Sequence, residues 1–350
     1  MLTLDVFKQD AFSDISLTAA INKLPFRPTL LGDRKLFAEK GVATTSVFVE
    51  EKKGQLTLIA DSPRGAPAVN PVTRSLRTAR SFNCRHLVRE APIMADEIQN
   101  VRLFGQVDSA ASQLETVQAV VNEKLEYLRA MQDFTLEYHR LGAVKGQILD
   151  ADGTTVLLDL FSEFGVSQQT QAMEMEAGDT STDVRQKCVE IRRMIQAELG
   201  GSPFTGLLGI CSPSFFDALT AHTSVKLSYQ YQEGIMLRQD LGMVGFTFGG
   251  VTWLEYRGQL QPEAGGASDL IPADSAYVLP EGALTVDGPL FRTFFGPGDF
   301  LEAANTIGLP IYVKQAQDPD GLNRQVRLHS QSNPLCLCLR PRAVVLATIT

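Results

Sequence analysis

The chain has 350 residues, with 32 Lys plus Arg against 40 Asp plus Glu and a net charge of -8. That length can bury a large apolar core and hold two or three domains, and the acidic balance excludes a dedicated nucleic-acid binder while leaving room for weak contact with a polyanion. Four histidines leave little material for general acid/base work, and no apolar run is long enough to cross a bilayer as a helix.

Residues 1 to 30 carry scattered apolar anchors, Phe7, Phe12, Ile15, Leu17, Ile21 and Leu24, followed by Pro25 and Pro28. They predict an extended arm with one or two helical turns over Ser16 to Ile21, docked on something larger. No basic, apolar and small-residue succession of a signal peptide opens the chain, so folding in a cytoplasm is expected.

From Gly41 to about Glu90 the pattern becomes extended. Thr45, Val47 and Val49 alternate with Ser46, Phe48 and Glu50, and a second run follows over Gln55 to Ile59. A return strand is predicted over Arg80 to Arg89, with Phe82, Cys84, His86 and Val88 on one face. Such an arm has too little apolar material to stand alone, because an isolated hairpin is marginal in water. It is also basic: Arg64, Arg74, Arg77, Arg80, Arg85 and Arg89 meet few acids, whereas Glu174, Glu176, Asp179 and Asp183 cluster later. The split either guides the arm to a neighbour by complementary potential or is an ordinary solvated face.

Pro92 to Met94, leading into Ala95 to Ile98, reads as a short helix entry. A long helix is predicted over 109 to 141, with Leu114, Val117, Val120 or Val121, Leu125, Leu128, Met131, Phe134, Tyr138 and Leu141 in steps of three or four. Asp108 or Ser109 would cap it and Gly142 would stop it. Its length is about 45 to 50 Å. A coiled coil or bundle would need a partner helix of similar length, which the sequence lacks, so sheet and shorter helices are the expected supports.

Ala143 to Asp150 and Thr154 to Leu160 flank an Asp150 to Gly153 turn and predict a hairpin. A helix is predicted over 181 to 199, with Val184, Cys188, Ile191, Ile195 and Leu199 on one face, then a buried strand over 207 to 211 and a helix opened by Ser212 and Pro213. Strand material is densest over Gly245 to Gly258. Further strands are expected at 275 to 279, 311 to 314, 335 to 339 and 344 to 349.

The search for chemistry is negative. No phosphate-binding loop, dinucleotide fingerprint, zinc-protease helix or nucleophile elbow occurs. The five cysteines, Cys84, Cys188, Cys211, Cys336 and Cys338, form no ligand pair and read as buried thiols. Asp150 and Asp152 lack the glutamate that would complete a calcium loop. Cys84 with His86 supplies two of the three or four ligands a metal needs, no spacing brings the carboxylates Glu233, Asp240 and Glu255 together for hydrolysis, and Trp253 and Tyr256 lack the adjacent basic groove of a base-stacking site. None reaches an assignment: no catalytic, cofactor-binding or metal residue is expected.

In their order these segments resemble the major capsid protein of lambda-like tailed bacteriophages, the phage major capsid protein E family. The resemblance is carried by the opening MLTLDVFKQDAFSDISLTAAINKLPF, by Gly249 to Tyr256, by Phe295-Gly296-Pro297-Gly298, by Leu309-Pro310 with Tyr312-Val313-Lys314, and by Gln331 to Leu335 with Arg340-Pro341. It implies an α+β fold of the HK97 type. An N-terminal arm would cover 1 to 40, an extended E-loop 41 to 91, and a peripheral domain 92 to 165 containing a spine helix at 109 to 141. An axial domain would cover 166 to 325, with return strands at 326 to 350.

The resemblance further implies a head protein that assembles as pentamers and hexamers into an icosahedral shell around double-stranded DNA, present in the virion and, during assembly, in the host cytoplasm. Expected partners are further copies of the chain, a separate scaffolding protein, a portal protein, a small decoration protein and DNA held non-specifically on the inner face, with no membrane and no cofactor. Arg64, Arg74, Arg77, Arg80, Arg85, Glu174, Glu176 and Asp179 are the candidate contacts between subunits. The alternative is a cellular compartment shell of the encapsulin kind with protein cargo.

Overall fold

The computed structural model describes residues 13–24, 30–52, 77–99, 110–176, 182–200, 202–230, 245–260, 268–285, 288–318, 320–321 and 324–350. The first described element is α1 (Asp14–Lys23), which starts at Ser13, whose Oγ accepts a bond from the Ser16 amide at 3.3 Å. The helix is longer than the one or two turns expected because Leu17 and Ile21, one turn apart, both reach core. Then come α2 (Leu30–Asp33), β1 (Ala38–Gly41), β2 (Ser46–Lys52), β3 (Arg77–Asn83), β4 (Leu87–Met94), α3 (Ala95–Gln99) and α4 (Ala110–Lys145).

Helix α4 has 36 residues and is about 54 Å long. It does not stop at Gly142 but runs on to Lys145 and ends at Gly146, where φ is 89°. Gly142 serves a different need: a Cβ there would stand 3.0 Å from the Gln147 carbonyl oxygen and the Ile148 Cα, so the glycine lets the next hairpin cross against the helix. Residues 143 to 145, expected in that hairpin, belong to the helix. The hairpin itself is β5 (Gln147–Leu149) against β6 (Val156–Asp159). Asp152 closes its turn by accepting from the Thr154 and Thr155 amides, both at 2.9 Å. The expected helix caps at Asp108 and Ser109 lie outside the described residues.

The predicted return strand is two strands. Phe82 in β3 pairs with Val47 in β2, whereas β4 runs from Leu87 opposite Ser332 to Met94 opposite Gln325. Between them the chain changes partner: the Cys84 amide donates to Thr45 and the Arg85 amide to Pro334. The expected shared face is therefore broken, with Phe82 buried and Val88 exposed. Pro92 to Met94 also belong to β4, so the short helix begins only at Ala95.

The remainder is α5 (Leu160–Phe164), β7 (Gln169–Ala172), α6 (Val184–Leu199), β8 (Gly206–Cys211), α7 (Pro213–Ala221), α8 (Thr223–Gln230), β9 (Phe246–Phe248) and β10 (Val251–Glu255). After these come β11 (Gln259–Leu260), β12 (Ser268–Asp269), β13 (Ser275–Glu281), β14 (Leu284–Thr285), β15 (Gly288–Pro289), β16 (Phe291–Phe295), β17 (Tyr312–Gln317), β18 (Gln325–Ser332), β19 (Pro334–Cys338) and β20 (Val345–Thr348). Helix α6 is cut to length at both ends. Asp183 accepts from the Arg185 and Gln186 amides, and Gly200 takes the left-handed conformation at its end.

The architecture is α+β, with mixed helices and sheets. A six-stranded mixed sheet has the order β7-β20-β13-β8-β10-β9, and α6 and α7 pack on it. A three-stranded sheet, β17-β18-β4, carries α1 and α4, and a second, β1-β16-β19, lies beside α4. Strands β2 and β3 form a separate two-stranded ribbon.

Helix α4 joins two cores. Val117, Val121, Leu125 and Leu128 pack with Leu17, Ile21, Ile93, Ile311, Val313 and Leu328. Further along, Leu136, Leu141, Ala143 and Val144 enter the larger core of the six-stranded sheet. Between these apolar stretches the helix turns Gln132 and Asp133 inward.

Candidate functional site

The polar interval of α4 fixes the segment before the ribbon. Arg129 Nε donates to Asp133 at 2.9 Å and its Nη1 to the Ile21 carbonyl at 3.3 Å. The Leu31 amide donates to Glu137 at 2.8 Å, and Arg140 reaches Glu39 at 2.5 Å and Thr293 at 3.4 Å. Its guanidinium also lies over the Phe37 ring, 5.6 Å from the centroid. A cavity of about 550 Å³ lies beside this network. Arg129 and Arg140 each face a carboxylate, and the remaining cation in its lining is the exposed Lys35.

The ribbon is anchored on one face only. Val47 and Phe82 are buried, Phe82 lies 6.0 Å from the Phe164 ring, and Arg80 stands over that ring at 4.9 Å. Arg85 supports the base through a bond from its Nη2 to the Leu157 carbonyl, and burial pushes its guanidinium pKa down. On the other face Phe48 is 71% exposed.

A groove of about 690 Å³ lies between α1 and the approach to β17. Strand β17 is an edge strand, and α1 covers that edge: Thr18 Oγ1 donates to the Val313 carbonyl and accepts from its amide, both at 3.1 Å, and Asn22 donates to the Ile311 carbonyl at 2.9 Å. At the floor Lys314 binds Glu302 at 2.6 Å and lies 4.7 Å from the Phe300 ring centroid, and this bond lowers the Glu302 pKa. Exposed Ile15 (84%) and Leu309 (43%) line it among charged groups, and Leu301 (95%) and Ile307 (71%) are exposed on the adjoining segment. Exposed apolar side chains are unremarkable singly, but several around one groove mark a surface that binds another.

Of the candidate contacts read from sequence, Arg77 and Arg80 lie in ribbon strand β3 and Arg85 follows it directly. Arg80 and Arg85 face α5 and β6 of their own chain. Glu174, with φ at 52°, accepts from Lys187 at 2.7 Å, and Glu176 is exposed nearby. Arg77 lies in β3 opposite Lys52. Arg64, Arg74 and Asp179 lie outside the described residues. Sequence reading passed over Leu301 and Ile307 altogether and treated Ile15 as a docking anchor. A single apolar residue in a loop carries no signal of what folds beside it.

Small-molecule chemistry finds no support. Among the described residues no group of three or more His, Cys, Asp and Glu could hold a metal. All five cysteines are free thiols, and burial pushes Cys188 and Cys338 up to about 12 and Cys336 to about 11. His86 shares no ligand set with Cys84 but faces Asn333 and Gln331. Glu255 is held by Arg257 at 2.6 and 2.9 Å, and Glu233 and Asp240 lie outside the described residues. Trp253 is fully buried against Phe215, where no base or sugar can reach it.

The family model for phage major capsid protein E matches residues 15–349. The chain belongs to that family. This phage major capsid protein is 30% identical to the major capsid protein of Pseudomonas phage KPP10, with 96% of this chain and 97% of the relative covered. It is 23% identical to that of Salmonella phage Felix O1, with 94% of each covered. Its fold is similar to the capsid protein assigned to a prophage of Escherichia coli CFT073, with a TM-score of 0.60 at 14% identity over 97% of this chain and 99% of the other. A phage-related protein from Bordetella bronchiseptica RB50 gives a TM-score of 0.52 at 13% identity, covering 96% and 97%. The major capsid protein fold is thus of the HK97 type, and the surfaces that bear on its function are those left open in a single copy.

Proposed function

We propose that the chain is the head subunit of a tailed phage, closing as pentamers and hexamers into an icosahedral shell around double-stranded DNA. The observation that carries this reading is the pairing of two unsatisfied surfaces: a ribbon with exposed Phe48 on its outer face, and a groove lined by exposed Ile15 and Leu309, with exposed Leu301 and Ile307 on the adjoining segment. Neither is filled by the described residues of its own chain. The ribbon of one copy lies on the groove of the next, and a closed ring of such head-to-tail contacts satisfies every copy. Each contact is modest, and durability comes from their number.

In this reading residues 1–40 are the arm, 41–91 the E-loop, α4 the spine of a peripheral part, and α6, α7 and the six-stranded sheet the axial part. The pairing of β17 with β18 and of β18 with β4 supports putting the return to the peripheral part before Tyr312. A separate scaffolding protein, a portal protein and a small decoration protein complete the assembly, which proceeds in the host cytoplasm and ends in the virion.

The test combines two single variants. Subunits carrying Phe48→Cys and subunits carrying Ile307→Cys are co-expressed with the scaffold, and particles are purified and oxidised. Closed particles with disulfide-linked dimers between the two variants are the expected result. Closed particles without that link overturn the ribbon-to-groove contact, and the absence of closed particles from the parent chain overturns the head-subunit reading. Nuclease-protected DNA inside the particles supports a virion, whereas packaged enzyme supports a cellular compartment.

A further inference from the structure

Helix α6 presents a cationic face to solvent. It buries Val184, Cys188, Ile191, Ile195 and Leu199 and turns Arg185, Gln186, Arg192, Arg193 and Gln196 outward. Its two acids do not share that face. Glu190 is half-buried and accepts from Gln171 at 3.3 Å, and Glu198 is half-buried with Arg342 at 3.6 Å. Its one lysine, Lys187, is taken by Glu174 at 2.7 Å. The outward face therefore holds three guanidinium groups and no carboxylate partner among the described residues, in a chain whose net charge is -8.

An ordinary solvated helix interleaves opposite charges at four-residue spacing, which stabilises it and keeps the surface mixed. Here the positions four residues from Arg192 and Arg193 are Cys188, Gln196, Val189 and Ala197, and the one acid three residues away, Glu190 before Arg193, accepts from Gln171. Arg185 and Arg192 lie two turns apart, about 10.5 Å, and Arg193 extends the patch around the helix. Guanidinium groups bind phosphate oxygens in a bidentate fashion and, lacking base-edge contacts, do so without reading sequence. Outside this face and the basic arm over 41 to 91, the acidic balance of the chain disfavours contact with a polyanion.

We infer that the outward face of α6 is the wall that meets the packaged duplex, with Arg185, Arg192 and Arg193 on its phosphates. The inference rests on the head-subunit reading. The probe is a random-sequence DNA duplex of about 30 base pairs, titrated with the full-length unassembled chain. If all three arginines release counterions, the salt slope for the parent chain includes about 2.7 units from this face, or about 40-fold in affinity between about 50 and 200 mM salt. The variant Arg185→Gln with Arg192→Gln and Arg193→Gln should lose that slope. A control with Arg34→Gln, Arg257→Gln and Arg324→Gln makes the same change in net charge elsewhere and should keep most of it.

Equal losses in the two variants, or an unchanged slope in the α6 variant, overturn the inference. So does an α6 variant that binds duplex like the parent and yet fails to form particles, because the face would then be a contact between subunits. Failure of the parent chain itself to form particles with its scaffold counts instead against the head-subunit reading, since it leaves the duplex comparison intact.

Discussion

Arg140 of α4 and Glu39 of β1 form an ion pair across a burial gradient: the arginine side chain is 3% exposed and the glutamate 52%, with 2.5 Å between Nη2 and Oε1. The guanidinium keeps two other partners, Thr293 and the Phe37 ring. Removing the glutamate therefore strands less charge than a fully enclosed pair would. Glu39→Ala should cost about 1 to 2 kcal/mol once the half-exposed side is discounted for screening. Arg140→Ala also opens a void beside Phe37 and unlinks Thr293, so its cost should be about 3 kcal/mol. Urea unfolding of the unassembled chain measures both. Equal costs would mean that the pair itself carries the whole effect.

His139, in the next helical position, gives a pH signature. Burial, reinforced by Arg85, pushes its pKa down to about 4 from 6.5, while Asp150 acts weakly the other way. The folded chain thus holds the ring neutral where an unfolded chain would protonate it. The stabilising contribution is complete above pH 6.5 and is lost as pH falls from 6.5 towards 4. At pH 5 the loss should be about 2 kcal/mol. Glu90 and Glu302, held below their ordinary values by His329 and Lys314 respectively, lose their contributions only in the more acid carboxylate range. His139→Gln should therefore flatten the change in unfolding midpoint between pH 7 and pH 5 and leave the steeper acid limb in place. An unchanged profile would assign the upper limb to another group.

Periodicity carried the parts of this fold that were readable beforehand. Helix α6 and strands β8, β13 and β20 announce themselves because their buried residues are mostly apolar, and α4 does so through Val117, Val121, Leu125 and Leu128, although it also buries Gln132, Asp133, Glu137, His139 and Arg140 and leaves Met131 and Phe134 exposed. Strand β18 does not, because its inward positions include the polar Ser330 and Ser332 among Val326 and Leu328. Gly142 was misread because a glycine that ends a helix and one that lets a neighbour approach are the same letter. The groove was illegible for a different reason: Ile15 meets the Leu301 to Leu309 segment only because α1 docks on the β17 edge through Thr18 and Asn22. The acidic cluster also dissolved locally, with Asp183 spent on a helix cap and Glu174 on Lys187.

Gly209 and Trp253 are cross-strand partners in β8 and β10, and the indole occupies the space a side chain at 209 would need. A Cβ there would come within 2.4 Å of the ring. Gly209→Ala should cost about 1 to 3 kcal/mol through overpacking, and Trp253→Ala about 3 to 5 kcal/mol through loss of a fully buried ring. The two effects share one space and should not add: with Leu at 253 the alanine at 209 should cost less than it does beside tryptophan. A double-mutant cycle by chemical denaturation reads the coupling. Strict additivity would mean that the backbone, and not the ring, sets the requirement for glycine.

Phe48 separates folding from assembly most cleanly. Its ring is 71% exposed, whereas Val47 beside it and Phe82 across the ribbon supply the buried contacts that hold the ribbon down. Phe48→Ser should shift the stability of the unassembled chain by no more than about 0.5 kcal/mol, the usual range for a surface change. Particle yield with scaffold should nevertheless collapse, because the same apolar area is withdrawn from every equivalent contact in the shell and the losses multiply. Ile307→Ser, on the opposing surface, should reproduce this pattern, and combining the two should add little because both remove one contact. Sedimentation and electron microscopy give the yield, and urea unfolding gives the stability. A Phe48→Ser chain that forms normal particles would show that the exposed ring is dispensable and that the ribbon is held by its backbone or by its basic residues.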